Sequence, residues 1–163
     1  MTADLPYRPN VGAVVFNRVG LVFLGRRADI KAREVWQCPQ GGIDEDEDPA
    51  QAVMRELREE LGTDGAVILA EHPEWLSYDL PPQLVKQSWG GRFRGQTQRW
   101  FALRLVAQDS EIDLGAHGTP EFDAWRWAEL AELAQLDVGF KHPIYQRLAV
   151  DFAPFAVPSD KAT

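Results

Sequence analysis

The apolar positions along this chain change spacing several times, and each change predicts an element. Residues 11–16 (VGAVVF) form a nearly unbroken apolar run of strand length. A turn at 17–20 and a second run at 21–25 complete a predicted hairpin. Residues 1–9 ahead of it read as a loose lead-in, and 26–34 (RRADIKARE) as a charged loop without period. Residues 36–40 then lead into Gly41-Gly42, where Pro39 and the glycines argue against a long regular element. From Pro49 to Leu61 the period becomes helical: Ala50, Val53, Met54, Leu57 and Leu61 fall within one arc of about 100°. Asp48 suits the N-cap, Pro49 the first helical position, Gln51 the capping box, and Gly62 the stop.

Farther along, Ala66–Glu71 and 75–78 read as strands, broken at 79–82 by Asp-Leu-Pro-Pro. Glycines at 90, 91 and 95 around Arg92 and Arg94 read as a mobile basic loop. Residues 99–106 and 122–127 are strand-like, separated by a polar connection at 107–119. Residues 128–136 predict a short amphipathic helix, and Pro143 opens a last one with Ile144, Leu148 and Phe152 at i, i+4 and i+8. Strands with helices between and after them indicate an α/β (α+β) class. With neither repeat nor linker, 1–163 reads as a single domain, its core about 7–155 and its termini short and flexible.

The helix carries more than an apolar stripe. Taking Glu56 as zero, Glu60 lies near +40° and Glu59 near −60°, so three carboxylates line the edge of the buried arc. Like charges at i,i+3 and i,i+4 cost about 0.2–0.5 kcal/mol per pair, and anions in the last turn oppose the helix dipole. Arg55, at i,i+4 to Glu59, relieves part of this; a hard divalent cation relieves more. Geometry alone leaves a solvated acidic face and a metal site both open.

Composition narrows the chemistry. The chain has 163 residues, 45% of them hydrophobic, enough for a real core. Its net charge of −8 argues against a nonspecific nucleic-acid coat, though bound metal would reverse the local field at a phosphate site. One cysteine, Cys38, permits no intrachain disulfide and fits a reducing cytoplasm. No apolar run reaches membrane-spanning length, and the N-terminus lacks signal-peptide order. Asp44, Asp46 and Asp48 open like a calcium loop, but Pro49 and Arg55 stand where glycine and glutamate are required. The three histidines show no zinc spacing, and neither a nucleophile elbow nor a P-loop occurs. If the acidic edge holds a metal, these residue types point to oxygen-ligated Mg²⁺ or Mn²⁺ and not to a covalent nucleophile.

Gly41, five residues, Glu47, seven residues, then Arg55-Glu56-Leu57-Arg58-Glu59-Glu60-Leu61-Gly62 resembles the signature of the Nudix hydrolases. Thr63 departs from it where an aliphatic residue is usual. The segments Tyr7-Arg8-Pro9-Asn10-Val11-Gly12, Tyr78-Asp79-Leu80-Pro81, Gly95-Gln96, Glu121-Phe122 and Phe140-Lys141 extend the resemblance to one bacterial branch. That branch contains dinucleoside polyphosphate hydrolases and RNA 5′-pyrophosphohydrolases. The loop at 28–35 is longer than in some members, and Cys38 replaces a larger apolar residue.

The resemblance implies an α/β/α sandwich with a central mixed sheet, and metal-dependent hydrolysis of a phosphoanhydride in a nucleoside polyphosphate. It implies Gly41, Glu56, Glu59, Glu60 and Glu121 at the metal, with Glu56, Glu59 and Glu60 as the catalytic set and Arg55 as structural support. The general base stays open among Glu59, Glu60 and Glu121. Arg8, Arg27, Tyr78, Gln96, Phe140 and Lys141 would bind substrate, Phe140 stacking on a base with Arg27 covering its other side. Trp125 and Trp127 are expected in the core. The implied partners are a nucleoside polyphosphate or the 5′ end of RNA, without a membrane or an obligate protein partner. A nucleotide-pool sanitising enzyme and a noncatalytic nucleotide-binding module are the alternatives.

Overall fold

A computed structural model describes residues 4–159; the expected flexible ends at 1–3 and 160–163 lie outside them. The strands are β1 Tyr7–Phe16, β2 Val22–Arg27, β3 Trp36–Gln37, β4 Gln40–Gly42, β5 Ala66–Glu71, β6 Leu76–Asp79, β7 Gly95–Leu105 and β8 Phe122–Ala128. The helices are α1 Pro49–Leu61, α2 Pro82–Val85 and α3 His142–Asp151. All eight strands join one mixed sheet. β1 runs parallel to β7 along its whole length, and every other pairing is antiparallel.

Alternation along β1 and β7 builds two cores. Val11, Ala13, Val15, Phe101 and Leu103 pack with Val53, Leu57 and Leu61 of α1. Val14, Phe16, Trp100 and Ala102 pack with Ile144, Tyr145 and Leu148 of α3. The period of two on the strands thus turns one sheet into the middle layer of the expected sandwich. Trp125 and Trp127 are partly buried against Phe23, with ring centroids 5.7 and 6.2 Å from it. Gly12 is glycine for a steric reason: a Cβ there would lie 2.6 Å from the Trp100 ring. Buried His72 ties the β5–β6 connection to α3: Glu74 N–H donates to Nδ1, leaving Nε2–H to meet Asp151 Oδ2 at 2.7 Å.

The site owes its place to a divergence of strands. β1 and β2 are in register only at Phe16↔Val22, next to the turn. Beyond it β1 pairs with β4, while β2 pairs with β3 and β8.

Several boundaries depart from expectation. β1 starts at Tyr7, because Tyr7, Arg8 and Pro9 pair with Gly95, Gln96 and Thr97. β2 runs on through Arg27, drawn by its pairing with β8. β7 starts at Gly95 instead of 99, because Gly95 to Gln98 pair with β6, and the Tyr78 carbonyl passes too close to Gly95 for any side chain there. Residues 130–135 form 3₁₀ turns, and Ala128 ends β8. Leu130 and Leu133 are both buried, the i,i+3 repeat that a 3₁₀ turn places on one side.

Candidate active site

α1 is capped as the sequence requires. Asp48 accepts from Ala50 N–H at 3.0 Å, Gln51 accepts from Asp48 N–H at 3.2 Å, and Gly62 takes a left-handed φ of 77°. The helix therefore starts and stops in a fixed phase against the sheet, which determines where its glutamates point.

Arg55 is the hub of the acidic edge. Its Nε and one terminal nitrogen reach the two oxygens of Glu47 at 2.8 and 2.9 Å. That nitrogen also donates to the Gly42 carbonyl at 2.8 Å, and the other reaches Glu56 at 2.9 Å and Glu59 at 3.2 Å. One guanidinium thus joins the β4 backbone, the acidic loop and α1. The Arg55 guanidinium, helped by the Asp44 N–H, holds the Glu47 carboxyl down at about 2.

Two of the catalytic candidates, Glu56 and Glu60, are moved the other way. Burial pushes Glu56 up to about 7, with Arg55 opposing the rise and Glu59 and Glu121 adding to it. Glu60 is only 3% exposed, and burial raises it well above the carboxylate range, reinforced by the charges of Glu56 and Glu121. One Glu60 oxygen, Oε2, is buried with no hydrogen-bond partner, and the group accepts from the Gln40 N–H. Gly41 faces Glu56 so closely that a Cβ would overlap the carboxylate. Four glutamates whose charges oppose one another, one with an unpaired buried oxygen, fit a hard divalent cation in charge and donor type. As the side chains stand, no three His, Cys, Asp or Glu groups among the described residues are gathered closely enough to hold one. Arg55 is bonded to an oxygen of Glu56, and Glu121 is exposed just ahead of β8.

Beside the acids lies a cavity of about 420 Å³, and Arg27, Tyr78, Gln96, Glu121, Phe140 and Lys141 all line it. Tyr78 and Phe140 stand nearly parallel, 8° apart with centroids at 6.4 Å. Burial and the neighbouring Arg27 lower Lys141 to about 8, against the pull of Glu60. Two of the residues expected at substrate have partners within the chain. Arg27 forms a two-pronged pair with Asp29, at 3.0 and 2.5 Å, and Arg8 lies over the Trp89 ring at 5.6 Å.

Trp89, Arg33, Gln37 and Gln40 also line the cavity, and none was singled out from sequence. Trp89 was hidden within a glycine-rich stretch; a large aromatic among glycines is the signal that could have marked it. It adopts a positive φ of 46°, next to Gly90 and Gly91 at 68° and 76°.

An RNA pyrophosphohydrolase of Gluconacetobacter diazotrophicus is 56% identical, over 96% of this chain and 98% of its own. Another from Acidiphilium cryptum is 59% identical over 93% of each chain. Among solved structures, an Ap4A hydrolase of C. elegans in a binary complex superposes with a TM-score of 0.64 at 20% identity, covering 90% of this chain and 96% of that one, a likeness of fold alone. The NUDIX domain model matches residues 6–148, from just ahead of β1 into α3, and so takes in α1 and the cavity. On that extent of match, and on relatives more than half identical along nearly their whole length, the chain belongs to the NUDIX family.

Proposed function

We propose that this chain acts as a single domain, a pyrophosphohydrolase that uses Mg²⁺ or Mn²⁺ to cleave a phosphoanhydride bond in nucleoside polyphosphates. The 5′-triphosphate end of RNA is its foremost substrate, and the cytoplasm, where such ends are made, is its place of action. The observation that carries the reading is the pairing of buried, mutually opposed glutamates on α1 with an adjoining cavity that holds both cations and flat rings. Relatives at 56% and 59% identity named RNA pyrophosphohydrolase support the choice of substrate.

Gly41 (through its carbonyl), Glu56, Glu59, Glu60 and Glu121 would hold the metal. When bound, it supplies neutralisation of phosphate oxygens and a water acidified toward neutrality. Arg55 keeps Glu56 and Glu59 at the cleft edge. One of Glu59, Glu60 and Glu121 takes the second proton of the attacking water, a role typically worth about 10²–10⁴-fold. Lys141 and Arg8 meet phosphate charge, and Phe140 stacks on a base whose other side Arg27 covers, with Tyr78 and Gln96 lining the same cavity. A third flat ring in the cavity, Trp89, favours dinucleoside polyphosphates as a further substrate class.

The testing experiment compares kcat/KM for triphosphorylated RNA, diadenosine polyphosphates and free nucleoside triphosphates in one Mg²⁺ buffer. Preference for the RNA end supports the reading; preference for free nucleoside triphosphates assigns the enzyme to pool sanitation instead.

A further inference from the structure

The cavity wall beside Tyr78 has a hydrogen-bonding direction built into it. Trp100 is wholly buried, and its indole N–H, which can only donate, reaches Gln98 Oε1 at 2.9 Å. That donor settles which end of the Gln98 amide is oxygen. Gln98, also wholly buried, therefore turns its NH₂ the other way, and Nε2 donates to Gln96 Oε1 at 2.8 Å. The Gln96 amide is fixed in turn: its oxygen faces Gln98, and its own NH₂ group points away. Among the described residues, none is hydrogen-bonded to that NH₂ group.

The position of Gln96 gives this direction a use. It lines the cavity, and it is in register opposite Tyr78 across the β6–β7 pair. Directly opposed residues of antiparallel strands carry their side chains on one face, about 4.5–5.5 Å apart at Cβ. The Gln96 amide thus stands beside the ring that faces Phe140. Arg8 is its register partner on the other side, in β1.

We propose that Gln98, fixed by Trp100, is a positioning residue that holds the Gln96 NH₂ group toward the ligand as a donor. The group it meets is an acceptor oxygen, supplied either by a phosphate or by a carbonyl on the edge of the base. This rests on the nucleoside polyphosphate reading above.

The test is binding, measured by calorimetry with probes that resist cleavage: methylene-bridged analogues of inosine and adenosine 5′-diphosphate, and methylenediphosphonate. Gln98→Leu should weaken Kd by about 2- to 10-fold, the loss of one neutral hydrogen bond to ligand. Loss confined to the inosine analogue assigns the acceptor to the base carbonyl, and loss shared by all three probes assigns it to phosphate. In a Gln96→Ala background Gln98→Leu should weaken binding no further, because its effect passes through Gln96. Gln98→Met, which keeps an unbranched stem while removing both amide bonds, carries the same test if the leucine variant does not fold. Unchanged affinity, any other probe pattern, or an equal loss in the Gln96→Ala background overturns the proposal. Failure of the unaltered protein to bind any probe is a different result: it removes the polyphosphate reading itself, and the ligand named here with it.

Discussion

Replacing Glu47 by glutamine tests the Arg55 hub without touching the glutamates of α1. The two side chains are 15% and 21% exposed and joined by two charge-assisted hydrogen bonds. Lowering Glu47 from its ordinary 4.5 to about 2 corresponds to a ceiling of about 3.4 kcal/mol at neutral pH. Solvent at the loop screens part of that, and a glutamine oxygen still accepts from Arg55 for about 1 kcal/mol. Glu47→Gln should therefore cost about 1–2 kcal/mol, roughly 3–6 °C in Tm for a chain of this size. The sign with pH follows from the depressed value. The carboxylate's contribution is complete above the unfolded value of 4.5, falls below half by about pH 3, and vanishes below about 2. Urea unfolding of both proteins at pH 7, 5 and 3.5 measures the difference directly. A gap that stays constant from pH 7 to 3.5 would refute ionisation of Glu47 as its source, and no gap at pH 7 would refute the hub.

Other perturbations have equally definite outcomes. Phe140 is 47% exposed, so Phe140→Ala should leave Tm nearly unchanged while lowering kcat/KM about 5–150-fold, the worth of one stacked base. A large fall in Tm with normal kinetics would return Phe140 to a packing role. Glu60→Gln should abolish most turnover yet raise the melting temperature in EDTA at pH 8. There the buried carboxylate, raised well above its usual range, costs most to ionise; a lower Tm would contradict this. Because Glu56 lies near 7 without metal, Mn²⁺ affinity should weaken steadily from pH 8 to pH 6 with proton release on binding. A pH-independent Kd over that range would show that Glu56 does not bind the ion.

What was legible in the sequence was local. The caps at Asp48 and Gly62, the phase of Glu56, Glu59 and Glu60, and the buried run of β1 all follow from residues a few positions apart. What was hidden depended on distant strands. Gly95 looks like loop until Tyr78 is seen crossing it, and residues 7–9 look like a tail until β7 pairs with them. Residues 128–136 carry an amphipathic pattern that suits a helix, yet pairing of Ala128 with Val22 ends that choice at its first residue. In the site, family resemblance assembled the glutamates and the cavity residues. It could not reveal that Asp29 holds Arg27 or that Trp89 lies against Arg8.

The most direct measurement follows the products from 5′-triphosphorylated RNA incubated with the enzyme and Mg²⁺, with and without EDTA and beside the Glu60→Gln protein. The account predicts metal-dependent conversion to 5′-monophosphorylated RNA, with phosphate or pyrophosphate released, and almost none from the variant. Triphosphate ends left intact by the unaltered protein, or equal conversion by Glu60→Gln, would contradict it.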